Sequence, residues 1–279
     1  MLFLKLVALT LTFSLFSPKA GFSQVYLPGL DQALINISKH YEELVPNQIR
    51  EIHFKVKELY FRIFSNKNQL SVAEGVEKHF EKAISKAEEK FNEGDDSVSQ
   101  SDITKLKLGL SKTLNGIIEL KSEIDQSFVS LGLLMGYEIY SDTKIEGKGF
   151  ETVDFPFQNW NNFKYEILNR DKSITSKNQT RPLDFLKNRN KLGEFKIAFI
   201  KIQEARSKMQ LMARMKKNTR ALLIPEVANH DFGVGDSEDL FEALVIYTEV
   251  QRGHFQAIYN FNIAVAALER LGSFKLKDH

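Results

Sequence analysis

Not one cysteine occurs in this chain of 279 residues. That excludes disulfides, thiol nucleophiles and a lipid-bearing cysteine at a cleavage site. Charge of one sign is lacking too: 38 basic residues balance 36 acidic ones, for a net charge of +2. Such a balance argues against a dedicated nucleic-acid surface. Catalytic constellations are missing. The six histidines (His40, His53, His79, His230, His254 and His279) include no close pair at metal-ligand spacing. There is no HExxH and no nucleophile elbow. The stretch "GVGDSE" opens like a dinucleotide loop but lacks the third glycine and a preceding strand. The expectation is a protein without catalysis, cofactor or metal. Long apolar runs are also absent beyond the first twenty residues, so no later segment suits a membrane-spanning helix.

What is there begins with an export-type leader. Lys5 precedes an apolar run over residues 6–16, and Gly21 and Ser23 occupy the small-residue places before Gln24. Residues 1–23 therefore read as a cleaved signal peptide, and a short membrane anchor is the rival reading.

The rest is dominated by helical periodicity. A short helix is expected over 31–44, capped by Asp31 and ended by Pro46. A long one follows over 48–91, with apolar residues at steps of three, four or seven from Leu59 to Phe91. After a turn at 92–97 the next helix carries a heptad seam: Ile103, Leu110, Ile117, Ile124 and Leu131 recur every seven residues. Leu106, Thr113, Leu120, Ser127 and Leu134 take the second seam position, which argues for coiled-coil packing. Residues 137–181 differ. They hold several glycines, the lone Trp160 and a group of aromatics, and "GFETVDFPF" has room for a short strand. A second long helix is expected over 182–228, with a kink at Pro225. A turn at 231–236 leads to a last helix over 238–271.

Both long pairs turn through Gly-Asp sequences and end in glycine, which suggests an internal duplication. The expected fold is all-α, with long coiled-coil helical hairpins in two repeats and little or no β-barrel. The repeats occupy 24–136 and 186–272, joined by a connector at 137–185 and followed by a polar tail at 273–279.

Some residues invite a functional reading. Asp239 and Glu242 lie in the first turns of the last helix, where acids favour the macrodipole. Around a symmetry axis they would form an acidic ring. His230 beside Asp231 reads as a turn histidine. The basic run 208–220 reads as a solvated helix face or a docking strip. Asn260 and Asn262, among small residues, suit either a wet interior or bonds between helices.

The stretch "LFEALVIYTEVQRGHFQAIYNFNIAVAALERLG" resembles the closing helix of the TolC-like outer-membrane efflux family. "AEEKFNEGDDSVSQSDITKLK" resembles the matching turn of that family's first half, and "LDQALINISKH" its opening helix. The resemblance implies a homotrimeric tube. Its hairpin tips meet a periplasmic adaptor, which couples it to an inner-membrane pump. The partner-contacting tips would be Gly94, Asp95, Asp96, Gly233, Gly235 and Asp236. The entrance acids would be Asp239 and Glu242, with Asp102 in the comparable turn of the first half. The family also inserts two barrel strands into each half, of about 9–11 alternating residues each. No such pairs are visible here. The expected function is a non-catalytic export-channel subunit in the outer membrane. The alternative is a periplasmic adaptor-like protein built from the same tube.

Overall fold

The computed structural model describes residues 26–140, 142–146, 150–170 and 182–272. The leader at 1–23 and the tail at 273–279 lie outside them. The elements run β1 (Tyr26–Leu27), α1 (Leu30–His40), α2 (Pro46–Asn92), α3 (Gln100–Met135), β2 (Lys144–Ile145), α4 (Trp160–Arg170), α5 (Pro182–Asp231) and α6 (Ser237–Leu271). Lengths repeat in order: 11, 47 and 36 residues for α1 to α3, then 11, 50 and 35 for α4 to α6. The duplication thus includes a short opening helix in each half, and α4 is the one within the connector.

The long helices form because each has a seam to bury. Every heptad position of α3 faces inward: Ile103, Leu106, Thr113, Ile117, Leu120, Ile124, Ser127 and Leu131 are buried, and Leu110 and Leu134 partly so. Each buried leucine or isoleucine contributes about 1.5–3 kcal/mol relative to exposure. The helix begins in a capping box between Ser99 and Asp102 and ends at Gly136, whose φ is +78°. Helix α2 starts at Pro46, which takes the first helical position, where its missing N–H costs nothing. Proline here opens a helix rather than ending the one before. Helix α1 is capped by Gly29 without a side-chain bond, and Asp31 sits inside its first turn instead of at its cap. Helix α5 continues through Pro225 as a single element.

The four long helices lie side by side in the order α3, α2, α6, α5, with α2 against α6 joining the hairpins. Among the described residues three apolar cores hold this layer. One, far from the turns, joins α1, α2 and the end of α3 around Tyr60 and Phe128. The second, next to the turns, joins α2, α3, α6 and the end of α5 around Phe80 and Leu244. In the third the connector packs on α5 and α6, where Phe155, Trp160, Phe163 and Phe199 stack with ring centroids 5.5 to 6.1 Å apart.

Residues 151–158 are not a strand. The side chain of Asn262 holds their backbone instead, accepting from Val153 N at 2.9 Å and donating to Glu151 O at 2.9 Å. Arg206 donates to Phe157 O at 3.0 Å and also to Phe155 O. The strand pairing falls elsewhere: β1 and β2 form a two-residue parallel ladder, Tyr26 opposite Lys144. Among the described residues no barrel strand occurs, and no helix is long and apolar enough to cross a membrane.

Candidate functional site at the hairpin tips

Two helix ends meet at one end of the layer. At the first, Gly94 adopts φ +80°, a left-handed conformation that favours glycine. Its N–H donates to Phe91 O at 3.2 Å, and Asp95 N donates to Lys90 O at 3.0 Å. This is the Schellman pattern that satisfies the last carbonyls of a helix. The second turn repeats it. Gly233 adopts φ +77°, Gly233 N donates to His230 O at 3.1 Å, and Val234 N donates to Asn229 O at 3.0 Å.

Beyond the glycines the turns diverge. In the first, Asp95 accepts from Ser97 N at 2.9 Å, and these Ser97 bonds hold its carboxyl below the usual range. Ser99 then caps α3, and its bonds depress the Asp102 carboxyl likewise. In the second, Asp236 caps α6 by accepting from Glu238 N at 2.8 Å. Gly235 packs so tightly that a Cβ there would lie 2.7 Å from His230 N.

Lysines from α2 tie the two tips together. Lys82 Nζ reaches Asp231 Oδ2 at 2.6 Å, Lys86 Nζ donates to Asp231 O at 2.6 Å, and Lys90 Nζ donates to Gly233 O at 3.1 Å. Spaced four apart on one helix face, they bring positive charge to the negative C-terminal end of α5. Lys105 of α3 pairs with Glu238 of α6 at 2.7 Å. Both turns therefore lie at the same end of the layer. His230 is buried beneath this ladder, in the last turn of α5 rather than in the loop. Burial, and then Lys86, push its pKa down.

The predicted site residues divide. Gly94, Asp95, Asp96, Gly233 and Asp236 lie together on the exposed tips, with Gly235 half-buried behind them. Asp102 and Asp239 are both the third residue after their N-cap, so the duplication aligns them. Asp102 is engaged in its capping box. Asp239 and Glu242 are exposed, and among the described residues neither side chain has a hydrogen-bond or ion-pair partner. Sequence reasoning missed Phe232 and Val234. They flank Gly233 and stand 83% and 80% exposed, an apolar pair at the tip of the second hairpin. Their signal was two large apolar residues inside a glycine turn with no helix face to join.

No family model matches the chain, and no curated protein matches it by sequence. Solved structures do. The outer-membrane channel OprN superposes with a TM-score of 0.62 at 12% identity, covering 87% of this chain and 69% of that one. The outer membrane protein VceC of Vibrio cholerae gives 0.62 at 9% identity, covering 87% and 74%. The CmeC outer membrane channel of Campylobacter jejuni gives 0.58 at 11% identity, covering 87% and 66%. The chain has the TolC-like fold. At these identities the likeness establishes the fold alone. The chain spans about two thirds to three quarters of the channels it matches. The resemblance implied two barrel strands of about 9–11 residues in each half, and the link between α1 and α2 has no room for such a pair. That link is five residues long, 41–45.

Proposed function

We propose that this chain is a wall subunit of an export conduit in the bacterial envelope, without catalysis of its own. The observation that carries the reading is the unfinished layer of helices. Its edge helices α3 and α5 leave large apolar side chains exposed: Ile118, Val129 and Leu133 on one, Ile197, Ile200 and Ile224 on the other. A layer with two different apolar edges joins copies head to tail, and such contacts close into a ring when the rotation permits. Three copies would make a tube of twelve helices. Its tips would offer the acidic first turn and the apolar Phe232–Val234 pair to a periplasmic adaptor, and through it to an inner-membrane pump. Asp239 and Glu242 would then face the entrance and favour cations there.

The test is assembly and conductance. The mature chain should sediment as a trimer, and Leu133→Glu with Ile197→Glu should leave it monomeric. In planar bilayers, replacing Asp239 and Glu242 by Ala should raise conductance and weaken cation preference. A folded chain that stays monomeric at all concentrations contradicts the proposal.

The lack of barrel strands among the described residues favours a second reading, a periplasmic tube or adaptor-like protein that uses the same tips. Osmotic shock releases such a protein, whereas a channel stays with the outer membrane. Photo-crosslinkers at Asp96 and Val234 should capture one common neighbour under either reading.

A further inference from the structure

Just behind the tips, α3 and α6 separate above α2 and leave a groove of about 320 Å³. Its floor is apolar: Ala73 and Phe80 from α2, Leu120 from α3, Phe241 and Val245 from α6. Gly109 shapes that floor. A Cβ there would lie 2.7 Å from the Phe80 ring and 2.9 Å from the Phe241 ring, so both rings rest on bare backbone of α3. Gly116 does the opposite. The nearest atom to its would-be Cβ is Nη1 of Arg252 at 4.0 Å, so a side chain added there would enter open space within the groove.

The rim is charged and unbalanced. Lys112 and Glu249 face each other loosely at 3.7 Å, both well exposed. Arg252 adds a second cation, and among the described residues it has no ion-pair partner. The groove is therefore an apolar slot with an unopposed guanidinium at its edge. Its volume lies at the small end of the range for small-molecule sites, about 300–1,000 Å³.

We propose that this groove binds an anionic amphiphile, one per chain, of the single-chain fatty-acid class. The hydrocarbon lies on the rings of Phe80 and Phe241, and the carboxylate meets Arg252, assisted by Lys112. A guanidinium is suited to this because it holds a carboxylate through two parallel N–H donors. Apolar burial supplies the attraction, and the cations select the headgroup. The inference stands apart from the channel reading, since it needs only the fold of one chain.

The test titrates the full mature chain with laurate below its micelle concentration, by calorimetry, with dodecyltrimethylammonium as the same tail under the opposite charge. The expected result is saturable binding of one laurate per chain, with the cationic amphiphile at least tenfold weaker. Gly116→Leu should abolish laurate binding while circular dichroism shows unchanged helix. Arg252→Gln should weaken it by roughly tenfold, the loss of a charge-assisted contact. Equal binding of both headgroups, binding untouched by both variants, or no saturable binding would overturn the proposal. So would a stoichiometry near zero in an assembled ring, which would show the groove covered by another copy.

Discussion

At the first turn Gly94 ends α2 at φ +80° and Asp95 N bonds back to Lys90; at the second Gly233 ends α5 at φ +77° and Val234 N bonds back to Asn229. The backbones coincide while the side chains oppose one another. The first turn shows Glu93, Asp95 and Asp96 to solvent; the second shows Phe232 and Val234. Helix-end carbonyls must be satisfied whatever the loop does, so the glycine and its bonds repeat. Nothing similar constrains the outward residues, and there the two copies separated. The contrast locates the chemistry of this end of the molecule in its side chains.

The largest effect that sharpens the contrast lies at Gly235. A methyl there meets the backbone of His230 and Asn229 at 2.7 and 2.9 Å, which cannot move as a flexible side chain would. Gly235→Ala should cost about 1–3 kcal/mol, the usual range for overpacking. Asp96→Ala, the same distance past the first glycine and exposed, should fall within about 0.5 kcal/mol of no change. Thermal or denaturant melting of both variants decides it; equal losses would mean that the turns are not packed differently. Next come the two turn glycines. Gly94→Ala and Gly233→Ala should each lose about 1–2 kcal/mol, the penalty for a left-handed residue with a Cβ. Here the turns should agree, because their φ values do and neither Cβ meets a neighbour within 4 Å.

Much of this was legible in the sequence, and the residues show why. The α3 seam was readable because a period of seven reports burial directly. The turns were readable because Gly-Asp sequences between periodic runs have few alternatives. The opening helix α4 was not, since its aromatics carry no period of their own and are buried by α5 and α6 from outside. The place of β1 and β2 was hidden because a two-residue ladder leaves no alternation. The lysine ladder at Lys82, Lys86 and Lys90 left no signal in the sequence, because its partners lie more than 140 residues away. The acids at Asp102 and Asp239 were placed correctly on their helices, yet only the coordinates show that one is taken up by its cap.

Smaller effects test the caps. Ser99→Ala removes the side chain that accepts from Asp102 N, and a lost N-cap costs about 1 kcal/mol. At the second turn Lys86→Met removes a cation from the end of α5, worth about 0.3–1 kcal/mol, and less at high salt. If the lysine loss exceeds the serine loss, the ladder rather than the local cap holds the tips together.

The smallest effect is a difference in how the two turns respond to acid. Folding lowers the pKa of His230, through burial first and Lys86 second, with Lys90 and Lys82 adding and Asp231 opposing. A histidine held neutral in the fold binds its proton more readily when unfolded, so stability falls as pH drops through its ordinary value near 6.5. The protonated ring would also face three lysines of α2. In the first turn the responsive groups are Asp95 and Asp102, whose carboxyls the fold depresses through Ser97 and Ser99. Their contribution is complete above the ordinary carboxylate value near 3.9 and is lost only below it. Between pH 7 and pH 5, then, the second turn should loosen while the first stays closed. Below pH 4 both should open, since Asp231 also loses its charge against Lys82. Hydrogen exchange at the amides of Val234 and Asp95, corrected for the intrinsic rate at each pH, reads the two turns separately. His230→Gln should remove the upper transition and leave the lower one. Parallel loss of protection at both amides near pH 6 would show that the tips open as one unit, and the division drawn between them would fail.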